Sequence, residues 1–158
     1  MSTFTLIHVV ISLIALVSGF VAVYGLLTSR QLAGWTLTYL VTIVATSVTG
    51  FFLPADRFLP SHAVGIISLV ILAATIAGRY VFHLAGAWRW IYAAGMVAAL
   101  YLNTFVGVVQ AFQKISALHA LAPTQSEPPF AIVQVAVLIA FVAVGILAAL
   151  RHRPAATA

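Results

Sequence analysis

An all-α membrane protein, folded as one compact bundle of five transmembrane helices, is the class this sequence predicts. Three observations lead there. Hydrophobic residues make up 64% of the 158 residues and charged residues 6%, whereas a soluble domain is about 25% charged. The mean hydropathy is +1.19, and two acidic residues in the whole chain cannot help cover a water-facing surface. The apolar residues also fall in five continuous runs, each near the roughly 20 residues a helix needs to cross a bilayer. They do not alternate, which excludes a transmembrane β-barrel. Helices satisfy every backbone polar group inside lipid.

The first run, Phe4 to Leu27, carries no charge. It outlasts the apolar core of a signal peptide and has no basic region before it, so it reads as a retained span. The second runs from Leu32 to Leu53, between Arg30 and Pro54. The third is His62 to Phe82, the fourth Trp90 to Phe112 and the fifth Phe130 to Leu150. Between the third and fourth, residues 83–89 include Gly86 and are long enough for a tight helical hairpin. The one long connection is Gln113 to Pro129. Within it Ile115, Leu118 and Leu121 recur three residues apart, as on one side of a helix. Pro123 and then Pro128 and Pro129 end that helix. This segment is expected to lie as a lid on the bundle.

Charge sets the expected orientation. Five spans put Arg30, Arg79, Arg89, Arg151 and Arg153 on one side. Arg57 and Lys114 fall on the other, offset by Asp56 and Glu127. By the positive-inside rule the C-terminus is cytoplasmic and the N-terminus outside, in a bacterial-type inner membrane. The formal net charge of +5 is accounted for by this rim, which faces anionic lipid. The expected partner is the bilayer, not nucleic acid. Small residues add a second expectation, since helices in lipid associate where backbones can approach. Gly95, Ala99, Asn103, Gly107 and Ala111 recur every four residues in the fourth run. Thr5, His8, Ser12, Ala15 and Gly19 share a face of the first. These faces point to the bundle interior, or to an interface in a homo-oligomer or membrane complex. The threonines at 38, 42, 46 and 49 are expected to bond to their own preceding turns.

The absence of cysteine excludes disulfides, thiolate metal sites and iron–sulfur clusters. No G-x-S-x-G or HExxH context supports a hydrolase, and the two acids are not paired, so catalytic residues are unknown. The polar residues instead gather in the outer half. His8, His62 and His119 come to that side by topology, and imidazoles can ligate haem b or a divalent metal. His8 with His62 is the first pair and His119 the candidate third. Asn103, Gln110 and Gln134 avoid lipid, where an unpaired amide costs several kcal/mol, and are expected to line the same cavity. Asp56 or Glu127 would set its charge. The functional expectation is an outer cavity that binds a metal, haem or small ligand. The alternatives are a non-catalytic accessory or scaffold subunit and an oligomeric small-solute carrier.

Overall fold

The computed structural model describes residues 2–55 and 57–152. Asp56 and Arg153 lie outside the described residues, and with Asp56 the charge expected of it in the cavity. Six helices are present among the described residues: α1 (Thr3–Thr28), α2 (Ala33–Gly50), α3 (Pro60–Tyr80), α4 (Trp88–Lys114), α5 (Ser116–Leu121) and α6 (Pro128–Arg151). Among the described residues there is no strand. Five long helices replace the five apolar runs within a few residues at each end, and the protein is a helical bundle of membrane type.

Each boundary has a local cause. Ser2 caps α1, its hydroxyl accepting the N–H of Thr5 at 3.1 Å. Ser29 ends it in the left-handed region (φ 53), and the Arg30 N–H reaches back to the Gly25 carbonyl at 2.9 Å. The α3–α4 hairpin needs three left-handed residues, His83, Leu84 and Gly86. It is closed by the Leu84 N–H on the Gly78 carbonyl at 2.8 Å and by stacking of Phe82 on Trp88 at 4.1 Å.

Helices α1 to α4 run up and down in sequence, and α6 docks against α4 and α1 from outside. The pairing can be read from contacts. His8 meets Thr49, Gly19 meets Tyr39 and Gly25 meets Leu32, so α2 lies antiparallel along nearly the full depth of α1. Four helices, α1, α3, α4 and α6, are long and apolar enough to cross a membrane. With 18 residues, α2 rises only about 27 Å, and its threonines dilute its apolarity. Large side chains such as Val17, Val70, Ile139 and Leu150 are 61–68% exposed, a surface suited to hydrocarbon.

Tyr39, Ile43, Leu72, Tyr92, Met96 and Leu100 are at most 1% exposed and form the core. Gly19 lets the Tyr39 ring and Leu100 close in, and the Tyr39 hydroxyl, buried among them, donates to the Met96 carbonyl at 2.9 Å. A buried phenol needs such a partner. All of these but Ile43, which lies past the middle of α2, sit in the half of the bundle nearer the basic end, where Arg30, Arg79, Arg89 and Arg151 gather. At the same depth in the other half the inward positions are small: Ser12, Ser47, Gly65, Ser68 and Gly107. The core therefore stops short, and a cavity takes its place.

Candidate functional site

The cavity has a volume of about 520 Å³. It lies between α1, α2, α3 and α4 and opens towards the end opposite the basic one. Leu13, Leu16, Ile43, Phe51, Val64 and Val106 make its wall largely apolar; His8, Ser12, Thr46, His62, Asn103, Gln110 and Lys114 supply polar atoms. Apolar pockets of roughly 300–1,000 Å³ with a few convergent polar groups are the usual form of a small-molecule site.

The two histidines are held by different bonds, and those bonds set their protons. His8 Nδ1 lies 2.7 Å from Thr49 Oγ1. A hydroxyl has one hydrogen to give, and the Ala45 carbonyl and His8 Nδ1 both lie 2.7 Å from Thr49 Oγ1. Given to the carbonyl, which can only accept, that hydrogen makes His8 the donor from Nδ1 and leaves the His8 lone pair on Nε2. At His62 the order is reversed. The Leu59 N–H donates to His62 Nδ1 at 2.8 Å, which caps the start of α3. The neutral ring then carries its proton on Nε2. Phe51 and Phe58 flank this ring at 5.8 and 5.3 Å and fix its plane. With His8 in that tautomer, one imidazole offers the cavity an acceptor and the other a donor.

Asn103 donates to the Ser12 carbonyl at 3.2 Å, tying α4 to α1 at the cavity floor. Thr46 Oγ1 is buried without a hydrogen-bond partner among the described residues. Gln110 reaches only Gln113, at 3.5 Å, and is exposed near the mouth.

Other expected site residues are elsewhere. His119 is exposed on α5, away from the cavity. Gln134 is buried, but between α4 and α6, donating to the Phe105 carbonyl at 3.3 Å. It projects from α6, on the side of α4 away from the cavity. The expected lid is corrected as well. No residue from Ile115 to Pro129 lines the cavity. The segment folds back on the end of α4 instead, with Gln125 donating to the Val109 carbonyl at 2.9 Å and Phe112 edge-on to Phe130 at 5.3 Å. Glu127 sets no charge in the cavity; its carboxylate closes its own turn, accepting from the Thr124 hydroxyl at 2.8 Å.

Among the described residues, no group of three or more His, Cys, Asp and Glu side chains could hold a metal ion. The His8–His62 pair does not fit haem iron or a divalent metal between them either. Such an ion needs a lone pair from each ring, and the α3 cap commits the one on His62.

The basic end carries a second polar group that sequence reasoning treated as a rim. Arg79 Nη1 donates to the Tyr92 hydroxyl at 3.1 Å, and His152 lies 5.6 Å from the Tyr92 ring. The signal was in the hairpin: Arg79, in the last turn of α3, and Tyr92, in the second turn of α4, flank one short connection. No known family model, curated protein or solved structure matches the chain.

Proposed function

We propose that this chain is a multi-pass membrane protein whose cavity binds a small, lipid-soluble molecule with a polar head. The head both accepts a hydrogen bond, from His62 Nε2–H, and donates one, to His8 Nε2. The observation that carries the reading is a pair of imidazoles, each held at Nδ1 by a different bond, in one largely apolar cavity. Hydroxyl or enol heads on an apolar body have that chemistry; simple alkanes and inorganic ions do not. Orientation belongs to the same proposal: the basic end faces the cytoplasm of an inner membrane, by the positive-inside rule. The cavity then opens on the outer side. All five long helices span, because α2 covers the same depth as α1.

A matched pair of probes tests this. In detergent-solubilised protein, para-hexylphenol should bind about tenfold more tightly than hexylbenzene, since two buried hydrogen bonds together exceed the roughly 1.4 kcal/mol that tenfold requires. His8→Leu and His62→Leu should each remove most of that preference while leaving hexylbenzene binding intact. Equal affinities in the unaltered protein would overturn the reading and favour a scaffold role. Elemental mass spectrometry on the same sample covers the metal alternative: near-stoichiometric metal that His8→Leu abolishes would replace the organic ligand with an ion.

A further inference from the structure

The basic end holds a separate pocket of about 320 Å³, formed where α1 and α3 end, α2 begins and the C-cap of α6 comes down. Its polar groups share one character. Arg79 extends into it with its guanidinium 5.6 Å from the Tyr80 ring centroid and 5.4 Å from that of Tyr92. Only one of its five N–H groups, the donor to Tyr92, has a side-chain partner among the described residues. Arg30 lines the same pocket. The first turn of α2 opens onto it at Ala33, and its N-cap, Leu32, provides no side-chain bond, leaving N–H groups without that usual partner.

His152 completes the wall. Both its ring nitrogens are buried without a hydrogen-bond partner among the described residues. An orphaned buried imidazole costs free energy unless something reaches it.

Among the described residues no acidic side chain answers these donors. The chain has two acidic residues. Glu127 is at the opposite end of the bundle, and Asp56 belongs in sequence to the α2–α3 connection. A guanidinium held by two aromatic faces, a second arginine, an imidazole and a helix start without a side-chain cap converge with no acidic side chain beside them among the described residues. A cation would be repelled here. A small monovalent anion could not span donors on α2, α3 and α6 at once, whereas a tetrahedral oxyanion presents acceptors in several directions. Guanidinium and phosphate also match in geometry.

We propose that the pocket at the basic end binds a phosphate group, supplied by the headgroup of an anionic lipid or by a soluble phosphate. Arg79 and His152 are its principal donors. The site is independent of the cavity at the other end. It gives the basic rim a specific ligand in addition to its diffuse attraction to the bilayer.

The test uses the full chain in phosphatidylcholine nanodiscs at constant ionic strength. Inorganic phosphate and, separately, short-chain phosphatidic acid are titrated while the fluorescence of Trp88, beside the pocket on the α3–α4 hairpin, and the thermal midpoint are followed. Saturable binding of both identifies the phosphate group as what is recognised. Binding of phosphatidic acid alone assigns the site to a lipid headgroup, and binding of phosphate alone to a soluble ion. In each case Arg79→Gln should weaken binding about tenfold or more, the loss of a charge-assisted hydrogen bond. Arg57→Gln, at the opposite end, should leave it unchanged. His152→Ala serves as a second variant, should Arg79→Gln not fold, and is expected to weaken binding several-fold. Saturation by neither probe overturns the proposal. So does unchanged affinity in every folded variant among Arg79→Gln and His152→Ala.

Discussion

Thr49 has one hydroxyl hydrogen, and whether it goes to the Ala45 carbonyl or to His8 Nδ1 decides what His8 can do. Nitrogen-15 NMR of labelled histidine should show His8 as the Nδ1–H tautomer and His62 as the Nε2–H tautomer. Thr49→Val removes the acceptor and should return His8 to a tautomer mixture, with His62 unaffected. Glu127 carries a second prediction at this scale. Desolvation acts to raise its pKa, but hydrogen bonds from the Thr124 hydroxyl and from backbone N–H groups of the turn together outweigh it and lower it. The sign follows from linkage: a depressed carboxyl stabilises its turn above the ordinary carboxylate range and loses that contribution as pH falls through its lowered pKa. Amide exchange at Thr124 and Ser126 should therefore gain protection-loss only in acid, and Glu127→Gln should show that loss already at neutral pH. His152 shows the opposite chemistry. Burial first, and then the charges of Arg79 and Arg89, push its pKa down, so an empty pocket keeps it neutral. None of these proton assignments can be read from the spacing of His8, Thr49 and His62, because each depends on a bond between residues brought together by turns or by neighbouring helices.

At the scale of the helix, glycines mark where elements touch or turn. Gly95 packs against Thr75 of α3 so closely that an added Cβ would overlap the threonine hydroxyl. Gly95→Ala should cost about 1–3 kcal/mol, as overpacking does. Adding Thr75→Ala should recover most of it, measured by unfolding in mixed micelles. Gly86 and Gly34 make a contrasting pair, since both have open space around them. Gly86 is left-handed (φ 54), so Gly86→Ala should cost about 1 kcal/mol. Gly34 is helical, and Gly34→Ala should gain about 0.5 kcal/mol. The four-residue stripe on α4 was legible in the sequence as a packing face, but its division was not. A step of four residues turns about 40° too far, so the stripe winds from α3 at Gly95 to α1 at Asn103 and Gly107. Of the four threonines at 38, 42, 46 and 49, three behave as their type predicts: Thr38, Thr42 and Thr49 each donate to the carbonyl four residues back. Thr46 is the exception, and it lines the cavity.

For the whole molecule, orientation in the bilayer is the testable consequence of charge. The chain contains no cysteine, so single cysteines report cleanly. In intact cells, Ser126→Cys should react with a membrane-impermeant maleimide and Ala87→Cys should not, with the pattern reversed in inverted vesicles. The reverse result in cells would turn the basic end outward. Composition and run length alone determined that the chain is a helical bundle suited to lipid, where its helices begin and end, and which end is basic. These are local or additive properties: hydropathy sums along a segment, and a glycine or proline breaks the helix in which it stands. Tertiary structure decided which polar residues meet. His8 and His62 share a cavity because small residues on four helices coincide in depth, while His119 and Gln134, on the same side of the membrane by sequence, are rotated or folded away. It also decided that Arg79, Tyr92 and His152 form a pocket instead of a rim. The physical reason is the same in both cases. Sequence position sets a residue's depth along a helix at about 1.5 Å per residue, but the azimuth it presents to its neighbours is set by how the helices pack.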